Sequence, residues 1–86
     1  MKQYHIFYGN EVIGMLRIDN NQYQYEAYSE AIQKLQAEPL HPILLNSIDW
    51  SDDIPFFRIR LEANQRFDNL GIGFLTDKVR IKEIEN

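Results

Sequence analysis

The groups in this chain whose types and spacing bear on chemistry are two histidines, three aspartates around a tryptophan, one Gly-x-Gly and a set of cations. A general base needs a partner that orients it. His5 shares a strand face with Phe7, so packing or a surface position is expected for it; His41 lies in a loop between Pro39 and Pro42 with no neighbouring Ser or Asp, and no catalytic residue is assigned. Asp49, Asp52 and Asp53 flank Trp50. Oxygen ligands of this kind suit Mg²⁺ or Ca²⁺, but the alternating ligands and glycine of a calcium loop are missing. The segment reads instead as a solvated loop in which Ser51 or an aspartate caps the next helix. No metal and no cofactor is expected. Gly71-Ile72-Gly73 lacks the third glycine of a dinucleotide loop and runs into a strand pattern, so a bulge or close backbone packing is expected there.

The cations carry more information. Lys78, Arg80 and Lys82 recur at every second residue, which on a strand places them on one face. Joined by Arg58 or Arg66, they would hold a phosphate, a carboxylate or an acidic partner. The competing reading is an edge strand guarded by charge against aggregation. Trp50 and Phe56 are candidate anchors. Adjacent residues of a helix point about 100° apart, so one of Phe56 and Phe57 can stay near the surface and serve a partner. The expected contact surface is therefore Arg58, Lys78, Arg80 and Lys82, with Trp50 and Phe56.

The chain has 86 residues and no Cys, with nine basic and thirteen acidic side chains for a net charge of −4. This length gives one small domain, residues 1–86. Without Cys there is no disulfide, thiolate or Cys-ligated zinc chemistry. No apolar run has the length of a signal peptide or a membrane span, so a soluble cytoplasmic protein is expected. The negative total disfavours general nucleic-acid binding, in which phosphate contacts supply most of the affinity. Charge is unevenly spread. Residues 30–57 hold Glu30, Glu38, Asp49, Asp52 and Asp53 against Lys34. Residues 58–82 hold Arg58, Arg60, Arg66, Lys78, Arg80 and Lys82 against Glu62, Asp68 and Asp77. One face can be basic although the molecule is acidic.

The elements that must position these residues follow from periodicity. Gln3 to Tyr8, Val12 to Ile18 and Gln22 to Glu26 alternate apolar and polar residues and are separated by Gly9-Asn10 and Asp19-Asn20-Asn21, which predicts a three-stranded antiparallel meander. Gly14 inside the second strand predicts a bulge or a close neighbour. Tyr25, Tyr28, Ile32 and Leu35 then follow a helical period, with Ser29 as N-cap and Pro39 as the stop. Residues 39–49 read as a short helix or a buried connector. Residues 54–67 fit both a strand and a helix. The helix is favoured, with Pro55 in its first turn, Asp53 as its cap, an Arg58–Glu62 pair and the stripe Phe56, Ile59, Ala63, Phe67. Leu70, Ile72 and Phe74, a turn at Thr76-Asp77, and Lys78 to Lys82 predict a C-terminal β-hairpin. The fold class is α+β: a three-stranded antiparallel meander, two helices, then a hairpin.

Two segments are similar to the N-terminal subdomain of the HipA-type toxin kinases. One is Tyr8-Gly9-Asn10-Glu11-Val12-Ile13-Gly14-Met15-Leu16 with Tyr23-Gln24-Tyr25-Glu26; the other is Pro55-Phe56-Phe57 with Leu61-Glu62. The family continues from its Pro-Phe-Phe run into Leu-Pro-Glu-Gly, whose Pro and Gly are absent here. The resemblance implies a regulatory or protein-contact module of bacterial type without kinase chemistry, because the family's nucleotide and catalytic residues lie in a later domain.

Function is thus expected to be protein interaction or regulation without catalysis. The alternative is a small-molecule or nucleotide-phosphate binder, with or without enzymatic activity, that uses Arg58, Arg60 and His41. Self-association into a homo-oligomer is the third expectation.

Overall fold

The computed structural model describes residues 1–69 and 78–84. Five antiparallel strands, β1 (Lys2–Tyr8), β2 (Glu11–Asp19), β3 (Gln22–Ala27), β4 (Ile48–Ser51) and β5 (Val79–Glu83), form one sheet in the order β4-β3-β2-β1-β5. Two α-helices, α1 (Ser29–Lys34) and α2 (Pro55–Asn69), and a 3₁₀ turn over Pro42–Leu44 complete the described elements.

The meander forms where its turn chemistry allows. Gly9 at φ 60° joins β1 to β2, and Asn20 and Asn21 at φ 50° and 64° join β2 to β3. Two-residue hairpin loops need positive φ at these places, and Gly and Asn supply it at least cost. Registry between β1 and β2 shifts at Ile6/Phe7, leaving Ile13 as an extra residue between Gly14, opposite Ile6, and Val12, opposite Phe7. Ile13 is fully buried in the core. Gly14 answers both expectations raised by the sequence, since it adjoins this bulge and has a close neighbour. A Cβ built there would lie 2.6 Å from the Glu26 carbonyl oxygen and 2.6 Å from Tyr25 Cε1.

One sheet face carries the core. Ile6, Tyr8, Leu16, Tyr25 and Val79 are buried on it, joined by Ile32 of α1, Leu44 of the 3₁₀ turn, and Ile54 and Phe57 at the start of α2. The Tyr25 ring lies 5.0 Å from that of Phe57, and its hydroxyl donates to the Leu44 carbonyl at 2.9 Å. α2 leads from the β4 margin toward the β5 margin, and its 15 residues give about 22 Å of helix. Four interstrand spacings come to about 19 Å, so the helix length matches the width of the sheet beneath it.

The structure corrects several expectations. The sheet has five strands rather than a meander and a separate hairpin. Residues 39–49, read as a short helix or a buried connector, hold the 3₁₀ turn Pro42–Leu44 and the start of β4, a strand that pairs with β3, and β5 pairs with β1. The first hairpin strand, its turn at Thr76-Asp77, and Gly71-Ile72-Gly73 lie outside the described residues, as do the side chains of Arg66 and Phe67. Residues 54–67 are helical from Pro55, as favoured, but the side chain turned to the sheet is Phe57, while Ile59 is 54% exposed. α1 is shorter than expected and ends at Lys34, where the Leu35 N–H tightens onto the Ile32 carbonyl at 3.0 Å. Its N-cap is Tyr28, with Ser29 already the first helical residue. The Asp53 carboxylate turns to Arg58 rather than to the opening amides of α2.

Candidate interaction surface

Because successive strand residues face opposite ways, the face turned away from α2 is set by the pairings. Arg80 stands opposite Phe7, and Lys82 opposite His5. The same rows continue to Val12 and Met15 on β2 and to Glu26 on β3. Arg80 and Lys82 are exposed; His5, Phe7, Val12 and Met15 are half-buried. The His5 and Phe7 rings meet edge to face at 6.2 Å. Lys78 enters β5 at φ 62°, a left-handed conformation that long side chains rarely adopt. Its carbonyl accepts the Gly9 N–H at 3.0 Å, and its ammonium lies 6.0 Å from the Tyr8 ring centre.

Five of the cations contrast in how they are held. Arg17 pairs with Glu26 at 3.0 Å and donates to the Gln24 side-chain oxygen at 3.1 Å. Arg58 pairs with Asp53 at 2.9 Å and reaches Glu62 at 4.0 Å. That hydrogen bond and the Asp53 charge push its pKa further up. Among the described residues Lys78, Arg80 and Lys82 make no such pair with a carboxylate.

The six expected contact residues therefore fall into separate regions. Arg80 and Lys82 share the outward face at the β5 margin, while Lys78, just before the strand, turns its ammonium toward the ring of the core residue Tyr8. Trp50, 38% exposed, lies on β4 at the opposite margin. Arg58 sits near the start of α2, across the sheet from the outward face of Arg80 and Lys82. Phe56 is half-buried, with the Arg60 guanidinium carbon 3.7 Å from its ring centre and the His41 ring at 4.7 Å. His41 and Arg60 thus meet around Phe56, away from the Asp53-bound Arg58. His41 Nδ1 accepts the Ile43 N–H at 3.2 Å, capping the 3₁₀ turn.

The three aspartates diverge. Asp49 accepts the Trp50 N–H, Asp52 accepts from Gln22, and Asp53 takes Arg58. Among the described residues no three His, Asp or Glu side chains converge as metal ligands would. An open cleft of about 340 Å³ lies between β3 and β4, lined by Arg17, Gln24, Glu26, Ser47 and Asp49 among others. Sequence reasoning missed Phe7 and Met15 as neighbours of the cations. Parity within β1 and β2 held that signal, because both residues alternate with the core-facing Ile6, Tyr8 and Leu16.

The described part of the chain is thus a small α+β domain that presents an unpaired cationic row beside half-buried apolar side chains. No family model matches the chain, and no curated protein or solved structure is significantly similar to it. Among the described residues no helix is long and apolar enough to cross a membrane.

Proposed function

We propose that the chain is a non-enzymatic interaction module of the cytoplasm that holds an acidic protein partner through Lys78, Arg80 and Lys82, with Phe7 and Met15 as the adjoining apolar contact. The supporting observation is that these cations are exposed at one sheet margin without acidic partners among the described residues, whereas Arg17 and Arg58 are held by acids. Exposed ion pairs contribute only about 0.2–1 kcal/mol each. The row therefore steers and selects the partner, and affinity depends on the apolar side chains beside it. The resemblance of the first strands to a regulatory subdomain points the same way. Trp50 and Phe56 have no part in this surface.

The test is comparative capture with Arg80→Glu/Lys82→Glu, using Lys34→Glu on α1 as the control reversal. Proteins held by the wild type and by Lys34→Glu are expected to be lost by the double variant, with melting temperatures nearly equal. Equal capture by all three would reject the surface.

The second reading is a small-molecule or nucleotide-phosphate binder, for which the open cleft beside β4 offers a surface recess and not an enclosed pocket. Its lining differs from the expected Arg58, Arg60 and His41. A thermal-shift screen with nucleotides and divalent metals separates the two readings. A ligand at 100 times its dissociation constant adds about 2.7 kcal/mol of stability, so a clear shift favours small-molecule binding over the interaction module.

A further inference from the structure

The β4 margin is the electrostatic complement of the β5 margin. Asp49 and Asp52 are exposed there, and neither has a cationic partner among the described residues. Asp52 accepts a hydrogen bond from the neutral Gln22 amide at 3.1 Å, and Asp49 accepts the backbone N–H of Trp50 at 2.8 Å, so the hydrogen-bond partner of each is a neutral group. Trp50 stands between them, 38% exposed, and Leu45 precedes them at 44%. These are large apolar surfaces that the monomer leaves in water. Asp49 shares the open cleft with Arg17, Gln24 and Glu26, which places it toward the same sheet face as Arg80 and Lys82.

From this geometry we infer that the β5 row of one copy docks on the β4 margin of a second copy, so that the protein assembles head to tail. The inference rests on the reading of the β5 cations as a contact surface and names their partner. The two patches are the outermost described strands of one sheet, separated by about 19 Å, so one molecule cannot satisfy its own. Two different patches meeting make a heterologous contact, which propagates unless its rotation closes a ring. In the contact Arg80 and Lys82 face Asp49 and Asp52, and a cation over the Trp50 indole adds a cation–π contact. The net charge of −4 opposes association only weakly at physiological ionic strength, where screening acts within about 8 Å.

The experiment is sedimentation velocity of the purified chain over a concentration series at low and high salt. The wild type is expected to gain mass with concentration and to return toward monomer as salt is raised. Two neutralised variants isolate the ends: Arg80→Gln/Lys82→Gln removes the row, and the near-isosteric Asp49→Asn/Asp52→Asn removes the acceptor. Each alone is expected to remain monomeric at concentrations where the wild type associates. Mixed in equal amounts they retain one intact row and one intact acceptor. The mixture is expected to form a discrete dimer and nothing larger, with a change in Trp50 fluorescence. A wild type that is monomeric at every concentration, a mixture that stays monomeric, or a row-deleted variant that still associates would overturn the inference. If the purified wild type is monomeric while capture still depends on Arg80 and Lys82, this partner assignment fails and the proposed function stands. If both fail, the row is not a contact surface.

Discussion

Gly14 and Tyr25 show how closely single residues are held in this fold. A Cβ at position 14 would press on the Glu26 carbonyl oxygen, a backbone atom in a paired strand, and on the buried Tyr25 ring. Neither can give way cheaply. Overpacking of this kind costs about 1–3 kcal/mol, and Gly14→Ala is expected to lower the urea midpoint accordingly. Tyr25→Phe keeps the ring against Phe57 but leaves the Leu44 carbonyl without its donor, a loss of about 1–3 kcal/mol, again read from urea unfolding at neutral pH. Burial pushes the Tyr25 phenol well above its ordinary value, and burial and Glu83 push Tyr4 the same way. An unfolded tyrosine ionises near pH 10, while the folded one stays neutral to higher pH. The stabilisation is therefore complete below about pH 10 and is lost as pH rises from there toward the folded pKa. Stability is expected to fall between about pH 10 and 12, and less steeply in Tyr25→Phe; identical alkaline limbs would contradict this.

At the scale of elements, much was legible where local chemistry decides. Period two with Gly9-Asn10 and Asn20-Asn21 gave the meander nearly to the residue. The left-handed φ of Asn21 predicts that Asn21→Val, which places a branched side chain at positive φ, costs about 1–3 kcal/mol; a thermal melt checks it. Helix α2 was legible from Pro55 and its helix formers, but the residue it buries was not. Phe57, Ile59 and Leu61 also alternate, and only the sheet beneath decides that Phe57 turns inward. β4 was hidden for a different reason. Ile48–Ser51 is four residues long and pairs with β3 across an irregular step between Tyr23 and Tyr25, so it has no period to read. The partner of β5 was hidden because its pairing with β1 joins residues more than seventy positions apart, which no local pattern encodes.

For the whole molecule, the decisive feature is which charges are already used. Arg58 was grouped by sequence with the C-terminal cations, yet Asp53, five residues earlier, holds it. The alternation of Lys78, Arg80 and Lys82 was legible; that Phe7 and Met15 stand beside them depends on strand order. Exposed substitutions distant from packing usually change stability by within about 0.5 kcal/mol, so Arg80→Glu/Lys82→Glu is expected to affect binding and leave folding nearly intact. The most direct measurement is the dissociation constant of the captured partner for wild type, Lys34→Glu and Arg80→Glu/Lys82→Glu, with a thermal melt of each. A rise of about tenfold or more for the double variant alone, corresponding to about 1.4 kcal/mol, with unchanged melting, is the predicted result. Equal affinities across the three would contradict the account.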